Sequence, residues 1–97
     1  MSIVGDHPET GARVEAQRER AGGPPWRYAG EVVTPTDRFP LSAVIAGDGT
    51  VTVADLDPSA PPGLAEKARL LLRAAFKHAS AEGAPPPRRI VRWRADV

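Results

Sequence analysis

Cysteine is absent from the 97 residues. That excludes a disulfide framework, thiolate zinc or iron–sulfur ligation, and thiol catalysis. Lysine is scarce, two residues against eleven arginines, and aromatic residues make up 5 % of the chain. The two histidines stand 71 positions apart, with no His-x-x-x-His pair to begin a metal site. No apolar run approaches the roughly 18 residues of a membrane helix. The opening Met-Ser-Ile-Val-Gly-Asp-His-Pro lacks the basic-then-apolar layout of a secretion signal. The expectation is a soluble, cytoplasmic protein that does not touch membranes.

What the chain holds in excess is Ala, Gly, Pro and Arg, 47 of the 97 residues. Such a bias marks a GC-rich, hence bacterial, genome more than a function. A chain of this length has room for one small core. Residues 1–11, with His7-Pro8 and two glycines, are expected to be disordered, and 12–97 to form a single domain. Charge is uneven within a net +1: residues 1–63 carry five arginines against nine acids, and 64–97 carry eight bases against three acids. The resulting −4 and +5 halves either attract each other within the domain or expose a basic surface.

Period-two alternation places Ala12, Val14 and Ala16 on one side of a first strand over 12–20, where a helix would have no apolar face. After Ala21-Gly22-Gly23-Pro24-Pro25, Trp26 to Thr34 has strand composition. A third strand runs from Phe39 to Ala46 and a fourth from Val51 to Leu56. Asp48-Gly49 between them signals a two-residue type I′ hairpin, which pairs Ala46 with Val51 and Val44 with Val53. A Pro-rich joint then leads into a helix from about Pro62 to Glu82. Ser59 is its expected N-cap and Gly83 its terminator. Leu64, Ala68, Leu71, Leu72, Ala75 and Ala79 fall on one stripe of that helix. Ala84-Pro85-Pro86-Pro87 reads as a stiff spacer before a last strand, Arg88 to Arg94. The class is α+β: an antiparallel meander, one long helix on one face, and a returning strand, in the order β-β-β-β-α-β.

Chemistry is harder to find. Asp48, Asp55 and Asp57 lack the alternating ligands and closing Glu of a calcium loop, and turn and capping roles account for them. His78 and Glu82, at i and i+4, read as a surface pair. Ser80 lies off the His78 face, no Gly-x-Ser-x-Gly elbow occurs, and Gly47-Asp48-Gly49-Thr50 lacks the lysine of a phosphate loop. An enzyme is therefore not expected, and neither is a cofactor or a metal.

Two surfaces stand out. With Phe39, Leu41 and Ile45 under the helix, Val44, Val51 and Val53 would form a valine patch on the other sheet face. Leu70 lies opposite the helix stripe. Val44, Val51, Val53 and Leu70 are thus the candidate self-association residues. In the last strand, Val91 and Trp93 would enter the core and leave an outward ladder in which Arg88, Arg92 and Arg94 could hold a polyanion. The expected function is a non-catalytic protein-interaction or self-assembly module, its partner a second copy or another protein. A weak nucleic-acid-binding module is the alternative, disfavoured by the near-zero net charge.

Overall fold

The computed structural model describes residues 11–19 and 23–94. The disorder expected of the N-terminus falls, apart from Gly11, outside the described residues. Five strands and one helix follow in the order β1 (Ala12–Arg18), β2 (Trp26–Val33), β3 (Arg38–Ile45), β4 (Val51–Leu56), α1 (Leu64–Ala81) and β5 (Arg89–Arg94). The strands form one antiparallel sheet in the spatial order β4-β3-β2-β1-β5. The helix carries the chain from one edge of the sheet to the other, touching β4 at one side and β1 and β5 at the other. Its 18 residues span about 27 Å, and five strands are about 19 Å wide. One diagonal helix therefore reaches across the whole face. Among the described residues no helix is long and apolar enough to cross a membrane.

The helix stripe is as expected: Leu64, Ala68, Leu71, Leu72, Ala75 and Ala79 are its buried residues. They meet Val14, Tyr28, Val32, Phe39, Leu41, Ala43, Ile45 and Ile90, the side chains that alternation sends to this face. Three alanines in the stripe let the backbone come close to the sheet. The C-terminus closes as a Schellman motif. Ala84 N donates to Ala79 O, Gly83 N donates to Ser80 O, and Gly83 takes the left-handed conformation at φ 72°. The N-terminus differs from expectation. Gly63, at φ 84°, holds the cap position without a side-chain hydrogen bond. Ser59 instead donates from both its backbone N and its Oγ to Asp57 Oδ1, so its polar groups serve a turn.

The β3–β4 hairpin also departs from expectation, by one residue. Gly49 N donates to Ala46 O and Ala46 N donates to Thr50 O, a three-residue loop in which only Gly49 (φ 93°) is left-handed. Asp48 keeps negative φ, and its side chain accepts from Thr50 N. Its carboxyl is held below its ordinary pKa by the hydrogen bond from Thr50. A type I′ turn would force Asp48 left-handed, and the type I turn with a glycine bulge avoids that cost. Pairing near the turn is therefore Ile45 with Val51 and Ala43 with Val53, and Ser42 meets Asp55, as a two-residue loop would also have it, only across a bulge. The shift turns Val51 and Val53 toward the helix.

Gly49 is doubly constrained. A Cβ there would lie 2.6 Å from the Phe76 ring, and Arg73 Nη1 donates to its carbonyl at 3.2 Å. Phe76 in turn stacks at a tilt on Trp26, centroids 6.2 Å apart. Gly49→Val should lower stability by at least about 2 kcal/mol, from positive-φ strain plus displacement of Phe76. Urea denaturation checks this, and an unchanged midpoint would contradict the loop. In the same assay Leu72→Ala and Leu71→Ala should each cost about 2–5 kcal/mol. Leu70→Ala, at a residue 37 % exposed, should cost about 0.5 kcal/mol or less.

Candidate interaction surface

A sheet with one helix has one covered face. On the other face, alternation sets Arg13, Glu15 and Gln17 of β1 beside Arg27, Ala29, Glu31 and the fully buried Val33 of β2, with Arg38, Pro40, Ser42 and Val44 of β3 beyond. Glu15 and Glu31 are directly paired neighbours, a repulsive arrangement on its own. Each is neutralised locally, Glu15 by Arg13 at 2.7 Å and Glu31 by Arg38 at 2.8 Å. A shallow cavity of about 210 Å³ lies over this part of the sheet, lined by Glu15, Gln17, Ala29, Glu31 and Arg89 among others. Two more hollows lie elsewhere, one between the β2–β3 turn and the start of α1, the other beside the β3–β4 bulge. Among the described residues no three His, Cys, Asp or Glu side chains gather as a metal cluster. His78 and Glu82 are the surface pair expected of them, 4.0 Å apart. Asp48 and Asp57 stand at opposite ends of β4, about 20 Å of strand apart.

The valine patch does not assemble. Val51 is buried in the core and Val53 packs against it, because the one-residue change of hairpin register inverts the faces of β4. Val44 alone stays on the open face, across from Thr52 and Arg27. Leu70 is on the outer side of the helix, so the four candidate residues occupy three separate places.

The last strand is inverted as well. Ile90 is buried under the helix, while Val91 and Trp93 are 47 % and 53 % exposed. They share the open face with Arg89, opposite Glu15, Arg13 and Gln17 of β1 respectively. Arg92, expected in an outward ladder, is half-buried on the helix side across from Val14. Arg88 precedes the strand, and Arg94 pairs through its backbone with Ala12. The phase is set upstream of β5. Tyr28 donates its hydroxyl to Pro87 O at 2.6 Å, Arg18 Nη1 donates to Pro86 O at 3.1 Å, and Arg18 N donates to Arg88 O at 2.7 Å. Residue types alone favour hiding Val91 and Trp93. No local signal in RRIVRWR reveals the reverse.

The Arg18–Arg88 bond also fixes which backbone groups of β5 face β1. Hydrogen-bonded and non-bonded pairs alternate along an antiparallel ladder. Ile90 and Arg92 therefore bond to Ala16 and Val14, and the N–H and C=O groups of Arg89, Val91 and Trp93 point away from β1. The Glu19 N to Arg27 O bond on the other side of β1 obeys the same phase. Comparison with family models, curated proteins and solved structures finds no match.

Burial raises the Tyr28 pKa above its ordinary value, against a smaller opposing effect of Arg18. The folded state thus favours the protonated phenol, and that contribution is complete below pH 10 and lost as pH rises toward the higher folded value. Tyr28→Phe should cost about 1 kcal/mol at pH 8. The gap to wild type should narrow as pH rises above 10, where only the wild type suffers this loss. Urea midpoints across that range check both statements.

Proposed function

We propose that the chain is a non-catalytic protein-interaction module whose contact surface is the β5 edge and the open sheet face beside it. The observation that carries this reading is the presence, on one strand at the edge of the sheet, of two exposed large apolar side chains. Val91 and Trp93 together present about half of their surface to solvent on a single face. Scattered apolar residues on a surface are ordinary, but an apolar pair on an open strand edge is a template for a further strand. The other edge is guarded: β4 is interrupted by a bulge and carries exposed Asp55.

Arg89 and Trp93 on one face also support polyanion binding as the second reading, because guanidinium groups hold phosphates and indole rings stack on bases. Salt separates the two. Contact through an apolar strand edge survives 1 M salt, whereas polyanion binding weakens steeply with it. Light scattering from 1 to 100 µM should show a mass that rises with concentration at both 0.15 and 1 M NaCl. The double variant Val91→Lys/Trp93→Lys should remain a folded monomer, since both positions are exposed. A wild type that stays monomeric while binding a heparin column in a salt-sensitive way would replace this reading with the second.

A further inference from the structure

We propose that the segment preceding Gly11, residues 1–10, docks on the sheet face opposite the helix as an intramolecular cover over Val33. Four strands form the row in which Val33 stands. Trp93 of β5 is opposite Arg13 of β1, Arg13 is opposite Val33 of β2, and Val33 is opposite Arg38 of β3. Burial along this face is uneven. Ala29 is exposed, and Val44, between Arg27 and Thr52 at the far end, is half-buried. Val33 is fully buried, and Arg13 Nε beside it is buried as well. The flanking arginines do not account for this. Arg13 reaches to Glu15 and Arg38 to Glu31, both one row away from Val33. A valine on a sheet face with no second layer keeps contact with water, as Val44 does. A covering layer therefore lies over the Val33 end of the face and stops short of Ala29.

The position of that end selects the segment. The helix is on the opposite face, and the β2–β3 turn beyond Val33 is exposed at Pro35, Thr36 and Asp37. The chain enters β1 at this end through Gly11, left-handed at φ 71°, a conformation that takes the preceding chain out of the strand direction. Ten residues reach up to about 33 Å, and Val33 is one strand from β1, about 4.8 Å away. Residues 95–97 reach at most about 10 Å and leave from β5, two strands away. The chemistry of the segment also fits. Ile3 and Val4 offer apolar contact to Val33, and Asp6 and Glu9, with no Lys or Arg among residues 1–10, suit a row that holds Arg13 and Arg38. The cover sets one boundary of the contact surface on β5, and it holds whatever binds there.

Because the chain contains no cysteine, one introduced thiol reports the cover in the 97-residue chain. Val33→Cys should react with an aromatic disulfide reagent at least about 100-fold more slowly than Val91→Cys, equally at about 1 and 100 µM protein. Adding Ile3→Asp and Val4→Asp should raise the Val33→Cys rate at least about tenfold, with an unchanged circular dichroism spectrum. Should Asp at both positions disturb the fold, Ile3→Ala with Val4→Ala carries the test, with a rise of about threefold or more. A Val33→Cys thiol as reactive as that of Val91→Cys would overturn the cover. Protection that appears only at the higher concentration would overturn it in favour of a second copy. Protection untouched by the Ile3 and Val4 changes would overturn it too, and its loss with Val97→Asp would give the role to residues 95–97.

Discussion

The carbonyl groups of Pro86 and Pro87 have to find donors outside their own segment, and the rest of the surface depends on how they do so. A proline run has no internal hydrogen bonds, and Pro86 is fully buried. Leaving such a carbonyl unsatisfied costs about 1–3 kcal/mol. Arg18 at the end of β1 supplies a guanidinium N–H and Tyr28 of β2 supplies its hydroxyl. Both donors are fixed before the helix is reached, Tyr28 by its place in the core and Arg18 by the sheet. The chain leaving the Schellman turn is thus delivered to β1 at one phase. Ile90 goes inward and Val91 and Trp93 outward, whatever their residue types prefer.

That dependence explains which parts of the fold were readable in the residues. The helix stripe was, residue for residue, because six apolar positions at a period of 3.6 leave one orientation. The strands and their order along the chain followed from β-rich runs broken by glycine and proline. Phase was less accessible. Period two is degenerate, so a shift of one residue preserves every alternation and exchanges the faces. In the β3–β4 hairpin the exchange follows from sparing Asp48 a left-handed backbone. In β5 it follows from contacts with residues about 60–70 positions away, beyond any reading of a seven-residue segment. The candidate surface went astray at both points: Val51 and Val53 turn to the core, and Val91 and Trp93 turn outward.

The charge asymmetry between the halves also resolves differently from either simple expectation. Arg13–Glu15, Arg38–Glu31, Arg69–Glu66 and His78–Glu82 each join groups of the same half. Two arginines reach across the halves to carbonyls, Arg18 to Pro86 and Arg73 to Gly49, and Arg73 also lies near enough to favour the Asp48 carboxylate. A guanidinium with several donors suits this role, since one N–H can bond a carbonyl without committing the others, although Arg18 Nε is buried with no hydrogen-bond partner. The pairs within each half are partly exposed and contribute little to stability individually. Local neutralisation matters more at Glu15 and Glu31, which would otherwise repel across β1 and β2 on the open face.

The two sheet edges show what the latch on the proline run achieves. At β4 a bulge and a carboxylate interrupt the free backbone, the usual means by which an edge is kept from pairing. At β5 the arginines could do the same if their side chains stood alone on the open face. The phase prevents this. It turns Arg92 toward the helix and places Val91 and Trp93 over the same three residues whose backbone groups point outward. With β5 shifted by one residue, the outward backbone groups would belong to Ile90 and Arg92, and the open face would carry Ile90 between arginines. Apolar pair and outward-pointing backbone groups coincide on β5 because Tyr28 and Arg18 hold two proline carbonyls, whereas the bulge and Asp55 of β4 leave no such coincidence at the other edge.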